Sequence, residues 1–555
     1  MTDPHHRATT SLRWGIYGIL IALSVGNMSG RILAVNSVDN ARLESYRIRE
    51  RLSPFRDRLE EQGVTGEELE SRVAEREVEL QEALRLQRPF LSSNDRSRWM
   101  TVRSLVEHGT YAIDEIVGQP TWDSIDMVKH KGRDGEEHLY SSKPPLLATL
   151  VAGEYWLVHK ITGKTLGTHP YELGRFMVFT INVIPFAVML ILVAAIAERL
   201  GGTDYGRVFI VAAGALGTQL TAFAVVLNNH LPAAASASVA LYALVRIWHD
   251  GVLTAERSGT RATDWKWFAV AGLAAAFTAA CELPALSFLG LVGLLLLVRW
   301  PRPTLIAFVP AVAVVAAAFF ATNYIAHDSL RPPYAHRSET DPEDNWYEYT
   351  FTVNGRERQS YWLDPQGIDR GEPSTATYAL HVLVGHHGIF SLTPVWLLST
   401  LGAGMWLLRA RNSKFDVRGD QTRIPPSDPP DSNAEHSETR LSNPAFGWLD
   451  TRRMLSSLTV VLTIVCLVFY ILLRPQRDRN YGGMTGGFRW MFWFAPMWLL
   501  VALPAVDLFS RRRLGRWACY LLLALSVMSA AYHTWNPWQH PWLTVFLEYM
   551  GWIEF

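Results

Sequence analysis

From residue 170 onward the chain is divided into charge-free apolar runs of about 15 to 23 residues, and a run near 20 matches the hydrocarbon thickness of a bilayer. Short charged connectors bearing Gly and Pro separate them. This spacing excludes an ordinary soluble domain, although the average composition does not: 49% hydrophobic and 19% charged residues would also suit two soluble domains. Candidate spans are 14–35, 176–197, 208–227, 231–246, 267–281, 284–298, 304–324, 388–408, 454–473, 490–508 and 517–532. The first follows Arg13, is long for a signal-peptide core, lacks a small-x-small cleavage site and carries Arg31 near its end, so it reads as an uncleaved signal anchor. Glu282-Leu283-Pro284 alone separates the fifth run from the sixth, and a tight hairpin of two short spans suits the bilayer better than one overlong helix.

The expected fold is an all-α polytopic membrane protein with about eleven transmembrane helices, interfacial helices and a small β-hairpin in an outer loop. Lys and Arg in the connectors set its orientation. With the N-terminus cytoplasmic, inner segments hold Arg7 and Arg13, Arg199 and Arg207, Arg246, Arg257, Arg261 and Lys266, Arg299 and Arg302, eight basic residues between 409 and 453, and Arg511, Arg512, Arg513 and Arg516. The C-terminus is then outside, in a bacterial inner (plasma) membrane. One outer loop opposes the rule, with Arg474, Arg477, Arg479 and Arg489.

The organisation expected along the chain is a cytoplasmic N-terminus and first span (1–35), a first outer loop (36–172), spans two to seven (173–324), a second outer loop (325–387), span eight (388–408), a cytoplasmic loop (409–453), and spans nine to eleven with an outer tail (454–555). In the first outer loop, Gly63 and the capping-box start Thr65-Gly66-Glu67-Glu68 predict a helical hairpin over about 40–88, either a solvated spacer or a partner-binding arm. Residues 346–362 alternate around Asn354-Gly355, a strong type I′ hairpin signal. The stretch 412–447 is rich in Pro, Ser, Asp and Asn and predicts disorder. Residues 143–160 carry Glu154 and His159 in a moderately apolar run, which fits a helix lying in the outer interface better than a span.

Net charge is zero, which gives no sign of a nucleic-acid partner. Cys281, Cys466 and Cys519 all lie in apolar runs, so the exported loops have no disulfide and the cysteines read as small core residues. No cofactor is expected. Nor is a metal, because the adjacent His386-His387 has no spaced third ligand.

Two segments are distinctive. Asn94-Asp95-Arg96-Ser97-Arg98-Trp99, running into Arg103 to Tyr111, resembles the aspartate-bearing segment after the first span of GT-C membrane glycosyltransferases. Tyr140-Ser141-Ser142-Lys143-Pro144-Pro145-Leu146 resembles the Lys-Pro-Pro segment of their protein O-mannosyltransferase and aminoarabinose-transferase branch. Asn229-His230-Leu231-Pro232, Gly388-Ile389-Phe390 with Thr393-Pro394, and Tyr481-Gly482-Gly483 with Gly486 to Trp490 are weaker matches. The inserted hairpin before Asp95 departs from the family's short connection.

The resemblance implies an inverting glycosyltransferase that moves a sugar from a polyprenyl-phosphate donor to an acceptor glycan, lipid or protein on the outer face, with Asp95 as the base. The alternative for Asp95 is a helix cap. Lys143, at a helix start, suits an anionic phosphate or a membrane-lipid headgroup. Arg489 and Arg479 suit phosphate oxygens, and Arg489 follows a glycine-rich turn that includes Tyr481. His230 and Glu282 occupy adjacent outer helix ends, where contact with substrate competes with hydrogen bonding inside the bundle. The rival functions are a transporter or flippase for lipid-linked sugars and a non-catalytic scaffold of the same fold. Ionisable residues gathered at outer helix ends, and not at the midplane, favour interfacial chemistry.

Overall fold

The computed structural model describes residues 4–35, 40–83, 90–250, 265–408, 450–533 and 536–553. Among them eight helices are long and apolar enough to cross a membrane: Ala8–Ala34, Pro170–Leu200, Asp204–Val225, His230–Trp248, Pro301–His327, Thr451–Leu473, Arg489–Phe509 and Arg513–Tyr532. The chain is a helical membrane protein. The other three predicted spans are the shorter apolar helices Trp265–Cys281, Leu283–Arg299 and Trp396–Leu408. At about 1.5 Å per residue, the 17 residues of Trp265–Cys281 reach roughly 25 Å, less than the roughly 30 Å of a hydrocarbon core. Eight full-length candidates and three shorter apolar helices thus stand at the positions of the eleven expected spans. Between the two short helices Glu282, Leu283 and Pro284 make the anticipated tight turn, closed by Ala285 N–H donating to Glu282 O (2.8 Å).

Irregular backbone within the bundle occurs where side chains satisfy it. The Asp204–Val225 span ends in a 3-10 turn over Gln219–Val225, and this turn and the extended Val226 after it present carbonyls to neighbouring side chains. Asn182 Nδ2 donates to Ala224 O (2.9 Å) and Val226 O (2.8 Å), and Asn228 Nδ2 donates to Phe223 O and Val226 O (both 2.9 Å). Asn228 Oδ1 in turn accepts from the N–H groups of His230 (2.9 Å) and Leu231 (3.1 Å), which starts the helix His230–Val245. Without these two buried asparagines the break would strand polar groups in an apolar bundle.

Among the described residues the loops carry two β-hairpins. Strands β1 (Met127–Lys131) and β2 (Glu137–Ser141) pair antiparallel with Met127 opposite Ser141. Strands β3 (Thr350–Val353) and β4 (Arg356–Gln359) turn at the predicted Asn354-Gly355, whose φ values of 52° and 72° are those of a type I′ turn. The helical hairpin is Asn40–Glu61 and Glu67–Ala83, joined through left-handed Gly63 and Gly66 and closed on a small core of Leu59, Leu69 and Val73. The segment 143–160 is an 18-residue helix, Pro145–Thr162, with Pro145 in its first turn and left-handed Gly163 as its C-cap. It packs beside Ser93–Glu107, where Tyr155 donates to Glu107 (2.6 Å). The stretch 412–447, expected to be disordered, lies outside the described residues.

Candidate active site

Beneath the hairpins, at the ends of the bundle helices, lies a cavity of about 850 Å³. Arg96, Arg98, Lys143, Arg337, Arg474 and Arg489 line it together with Asp126, Glu282, Asp369 and Asp478. Its lower wall is apolar, formed by Leu283, Leu286, Val465, Cys466, Phe469 and Tyr470 from two bundle helices. Leu283, Leu286 and Val465 also expose 40 to 53% of their surface, so this wall is continuous with the outside of the bundle.

The hairpin β1–β2 builds one side. Asp126 precedes β1, and Ser142 and Lys143 follow β2, so the Met127–Ser141 register sets them opposite each other. Ser142 N–H donates to Asp126 O (3.1 Å) and Lys143 Nζ to Asp126 Oδ1 (2.9 Å). Burial works against the Asp126 carboxylate, but Lys143, helped by Arg489 and Arg98, holds it below the usual carboxylate range. Burial pulls Lys143 below an ordinary lysine, and Asp126 opposes that pull.

Helix Ser93–Glu107 supplies Arg98, whose guanidinium donates to Asn94 O (3.0 Å) and Asn229 Oδ1 (2.8 Å). Burial, with the charge of Arg489 second, lowers it to about 10, so it stays cationic at neutral pH. Arg489 opens the span Arg489–Phe509, donates through Nε to Gly482 O (2.7 Å), lies 3.3 Å from His230 Nε2 and stacks on Trp538 at 4.9 Å. Three successive residues with positive φ, Tyr481, Gly482 and Gly483, carry the chain around this guanidinium; a Cβ on Gly482 would meet Arg489 Nε at 2.9 Å. Arg98 and Arg489 are thus held by neutral acceptors. Among the described residues neither has a carboxylate within ion-pair distance, so their charges remain available to an anion.

The acids differ in how far they are engaged. Glu282 Oε1 accepts from His230 Nδ1 (2.5 Å) and Asn229 Nδ2 (2.8 Å), so this pair braces two helix ends as well as lining the cavity. Asp478 is taken by Arg337 (3.1 Å) and Arg474 (3.5 Å). Asp369, from the loop after β4, accepts only neutral donors in the described structure: Tyr361 Oη and Asn480 Nδ2, each at 3.1 Å. Burial raises its carboxyl above the ordinary range, and Asp126 adds to the effect.

Of the residues expected from sequence, the structure brings Lys143, Arg489, His230 and Glu282 into this cavity. It does not bring Asp95, Arg479 or Tyr481 there. Asp95 is 1% exposed; its Oδ1 accepts from Leu227 N–H (2.7 Å) and its Oδ2 from Leu91 N–H (3.3 Å), while its own N–H donates to the N-cap Ser92 Oγ (3.1 Å). It therefore ties the chain entering its helix, which Ser92 caps, to the unwound end of the Asp204–Val225 span. Burial pushes its carboxyl up to about 7, a suitable strength for a base, but both oxygens face backbone N–H groups inside the protein. Arg479 Nη1 donates to Pro373 O (3.1 Å), which ties two loops together. Tyr481 is buried against Tyr378 and stacks on His387 at 4.9 Å.

Arg98, Asp126 and Asp369 were missed. Asn94 and Arg98, four residues apart, share a helix face and both line the cavity, whereas Asp95 shares its face with the fully buried Trp99 and Val102. That periodicity was available in the sequence. So was the Asp134-Gly135 turn, a hairpin signal that would have set Asp126 against Lys143. Nothing local marks Asp369.

No protein-family model and no curated protein matches this chain. Among solved structures, it is similar to the Archaeoglobus fulgidus oligosaccharyltransferase in complex with Zn and sulfate, at 11% identity and a TM-score of 0.39, over 81% of this chain and 50% of that one. A second is the archaeal oligosaccharyltransferase AglB from Archaeoglobus fulgidus in complex with an inhibitory peptide and a dolichol-phosphate, at 12% identity and a TM-score of 0.33, over 80% of this chain and 51% of that one. The chain spans about half the length of these proteins. At such scores the cavity itself carries the functional argument.

Proposed function

We propose that this protein is a GT-C-type membrane glycosyltransferase that moves a sugar, with inversion, from a polyprenyl-phosphate donor to an acceptor on the outer face of a bacterial plasma membrane. One observation carries the reading: Arg98, Lys143 and Arg489 converge on a cavity whose lower wall is apolar and runs into exposed apolar residues of the bundle helices. A free anionic metabolite has no use for that wall. A lipid phosphate needs both, because its headgroup must meet cations at the depth where its tail enters hydrocarbon.

In this reading the tail lies along Leu286, Val465 and Phe469. Lys143 and Arg489 hold the phosphate, and Arg98 adds charge from the adjacent wall. Their charge also stabilises the phosphate oxygen as the bond to the sugar breaks, the point at which negative charge develops. The resemblance assigns proton removal to Asp95. We assign Asp95 a positioning role instead, since it fixes the Asn228–His230 corner from which Asn229 and His230 reach the cavity. Helix Pro145–Thr162 lies in the outer interface, and the N-terminus is cytoplasmic and the C-terminus outside. Protection of a cysteine at position 430 from impermeant reagents in intact cells tests that orientation.

The enzyme is tested in nanodiscs with a panel of radiolabelled polyprenyl-phosphate monosaccharides and an envelope extract as the acceptor source. Label is expected to leave the lipid for the acceptor fraction, and Lys143→Ala/Arg489→Ala should abolish this. No turnover of any donor, or turnover unchanged in the double variant, contradicts the reading.

A further inference from the structure

We propose that Asp369 is the base that takes the proton from the acceptor hydroxyl, and that the acceptor therefore enters from the loop side of the cavity, past Tyr361 and Trp362. This rests on the transferase reading above. Three observations lead to it. Asp369 lines the cavity on the loop Gly367–Arg370, while the cations come from the helix ends and from the hairpin β1–β2. Of the four carboxylates there, Asp126, Asp478 and Glu282 are each engaged by a cation or by a buried histidine, whereas among the described residues Asp369 is oriented by neutral donors alone. A carboxylate bound to an ammonium is a poor base, because the cation stabilises its charged form. When two acids face one cavity and their surroundings drive their proton affinities apart, the roles divide accordingly: Asp126 stays ionised and holds Lys143, and Asp369 exchanges protons.

The local structure supports the assignment. Tyr361 Oη reaches back to Asp369 from the short helix after β4, and the next residue, Trp362, donates through Nε1 to Ile125 O (3.0 Å), immediately before Asp126. The 354–371 loop is thereby fastened over the cavity with Asp369 directed into it. On the other side Asp369 faces left-handed Gly483, where even a Cβ would make only an ordinary contact, 3.7 Å from Asp369 Oδ1. An acceptor hydroxyl next to this carboxylate is within hydrogen-bond reach of it, which general-base proton transfer needs.

The step balances as a single displacement. The acceptor oxygen forms a bond to the sugar's anomeric carbon, and the bond from that carbon to the phosphate oxygen breaks. The electron pair leaves with the phosphate, which Lys143 and Arg489 hold, and the hydroxyl proton passes to Asp369. The products are the glycoside and polyprenyl phosphate.

Asp369→Asn, Asp369→Glu and Tyr361→Phe are compared with the wild type in nanodiscs, measuring polyprenyl-phosphate binding and transfer from the labelled donors across pH. Asp369→Asn should bind polyprenyl phosphate within about twofold of wild type yet transfer at least about 100-fold more slowly, the usual contribution of a general base. Its remaining rate should lose the acidic limb of the pH profile. Asp369→Glu should recover part of the rate. Tyr361→Phe removes a hydrogen bond to the ionised form and should shift the acidic limb to higher pH. If Asp369→Asn keeps more than a tenth of the wild-type rate with its acidic limb in place, or if Tyr361→Phe leaves that limb where it was, Asp369 is not the base while the transferase reading stands. If wild type neither binds polyprenyl phosphate nor transfers from any donor, both fall.

Discussion

Lys143 and Asp126 meet at 2.9 Å in the cavity wall, each largely buried, because the Met127–Ser141 pairing of one hairpin sets the residues flanking its two strands opposite each other. Removing only the cation leaves a buried carboxylate without compensation. Lys143→Met should therefore destabilise the protein by about 3 kcal/mol. Lys143→Met/Asp126→Asn should regain most of that stability without regaining affinity for polyprenyl phosphate. Thermal unfolding and lipid-phosphate titration of the three variants check it; recovery of affinity in the double variant would show that Lys143 serves only the ion pair.

Arg489 depends on Gly482 for its place. Alanine at Gly482 must adopt φ +94° and brings its Cβ within 2.9 Å of Arg489 Nε, so the guanidinium has to move. Gly482→Ala is expected to weaken polyprenyl-phosphate binding about tenfold or more, as Arg489→Ala does, with charge-assisted hydrogen bonds worth about 1.5–3 kcal/mol. The same substitution at Gly404, where a Cβ meets nothing within 4 Å, should leave binding unchanged. Equal effects at the two glycines would remove the turn's special role.

Asp95 supplies acceptors to two backbone N–H groups, that of buried Leu227 and that of half-buried Leu91. Asp95→Ala should cost about 2–4 kcal/mol by leaving both unsatisfied. Asp95→Asn keeps one acceptor and should cost about half as much while retaining measurable transfer. Unchanged stability in Asp95→Ala, together with complete loss of transfer in a well-folded Asp95→Asn, would return the base assignment to Asp95.

Acid should loosen the turn that carries Arg489. Beneath Tyr481, His381, His386 and His387 pack together with His540 nearby. Burial first, and then neighbouring histidines, holds His387 well below an ordinary histidine and His386 at about 3. The unfolded chain takes up these protons first, so the stability is complete above about pH 6.5 and is lost progressively as pH falls below it. Melting temperature measured from pH 7 to pH 4 should fall, and His387→Gln should flatten the decline. A melting temperature independent of pH over that range would contradict this account.

The bundle was legible in the sequence because apolar run length is a local property that the bilayer enforces. Lys143 and Arg489 were legible for a related reason: one sits in a Lys-Pro-Pro helix start, and the other ends a loop whose arginines oppose the charge pattern of the connectors. Asp95 stood out for the type of segment it occupies, yet helical phase turns it toward Trp99 and Val102 while Asn94 and Arg98 face the cavity. Asp369 gave no local sign. It reaches the cavity through contacts with Asn480, over a hundred residues away, and through a loop fastened by Trp362 to Ile125. Apolar run length placed all eleven helices, of which eight are long enough to cross a membrane and three, Trp265–Cys281 among them, are shorter.

The central claim is that cations at the helix ends hold a lipid phosphate whose tail leaves along the apolar wall, and an experimental structure of the nanodisc-embedded protein with bound polyprenyl phosphate tests it most directly. The account predicts the phosphate within about 4 Å of both Lys143 Nζ and the Arg489 guanidinium, an ion-pair distance, with the first isoprene units against Leu286 and Phe469. A phosphate bound elsewhere, or lipid in the cavity with its headgroup in contact with neither cation, would contradict it.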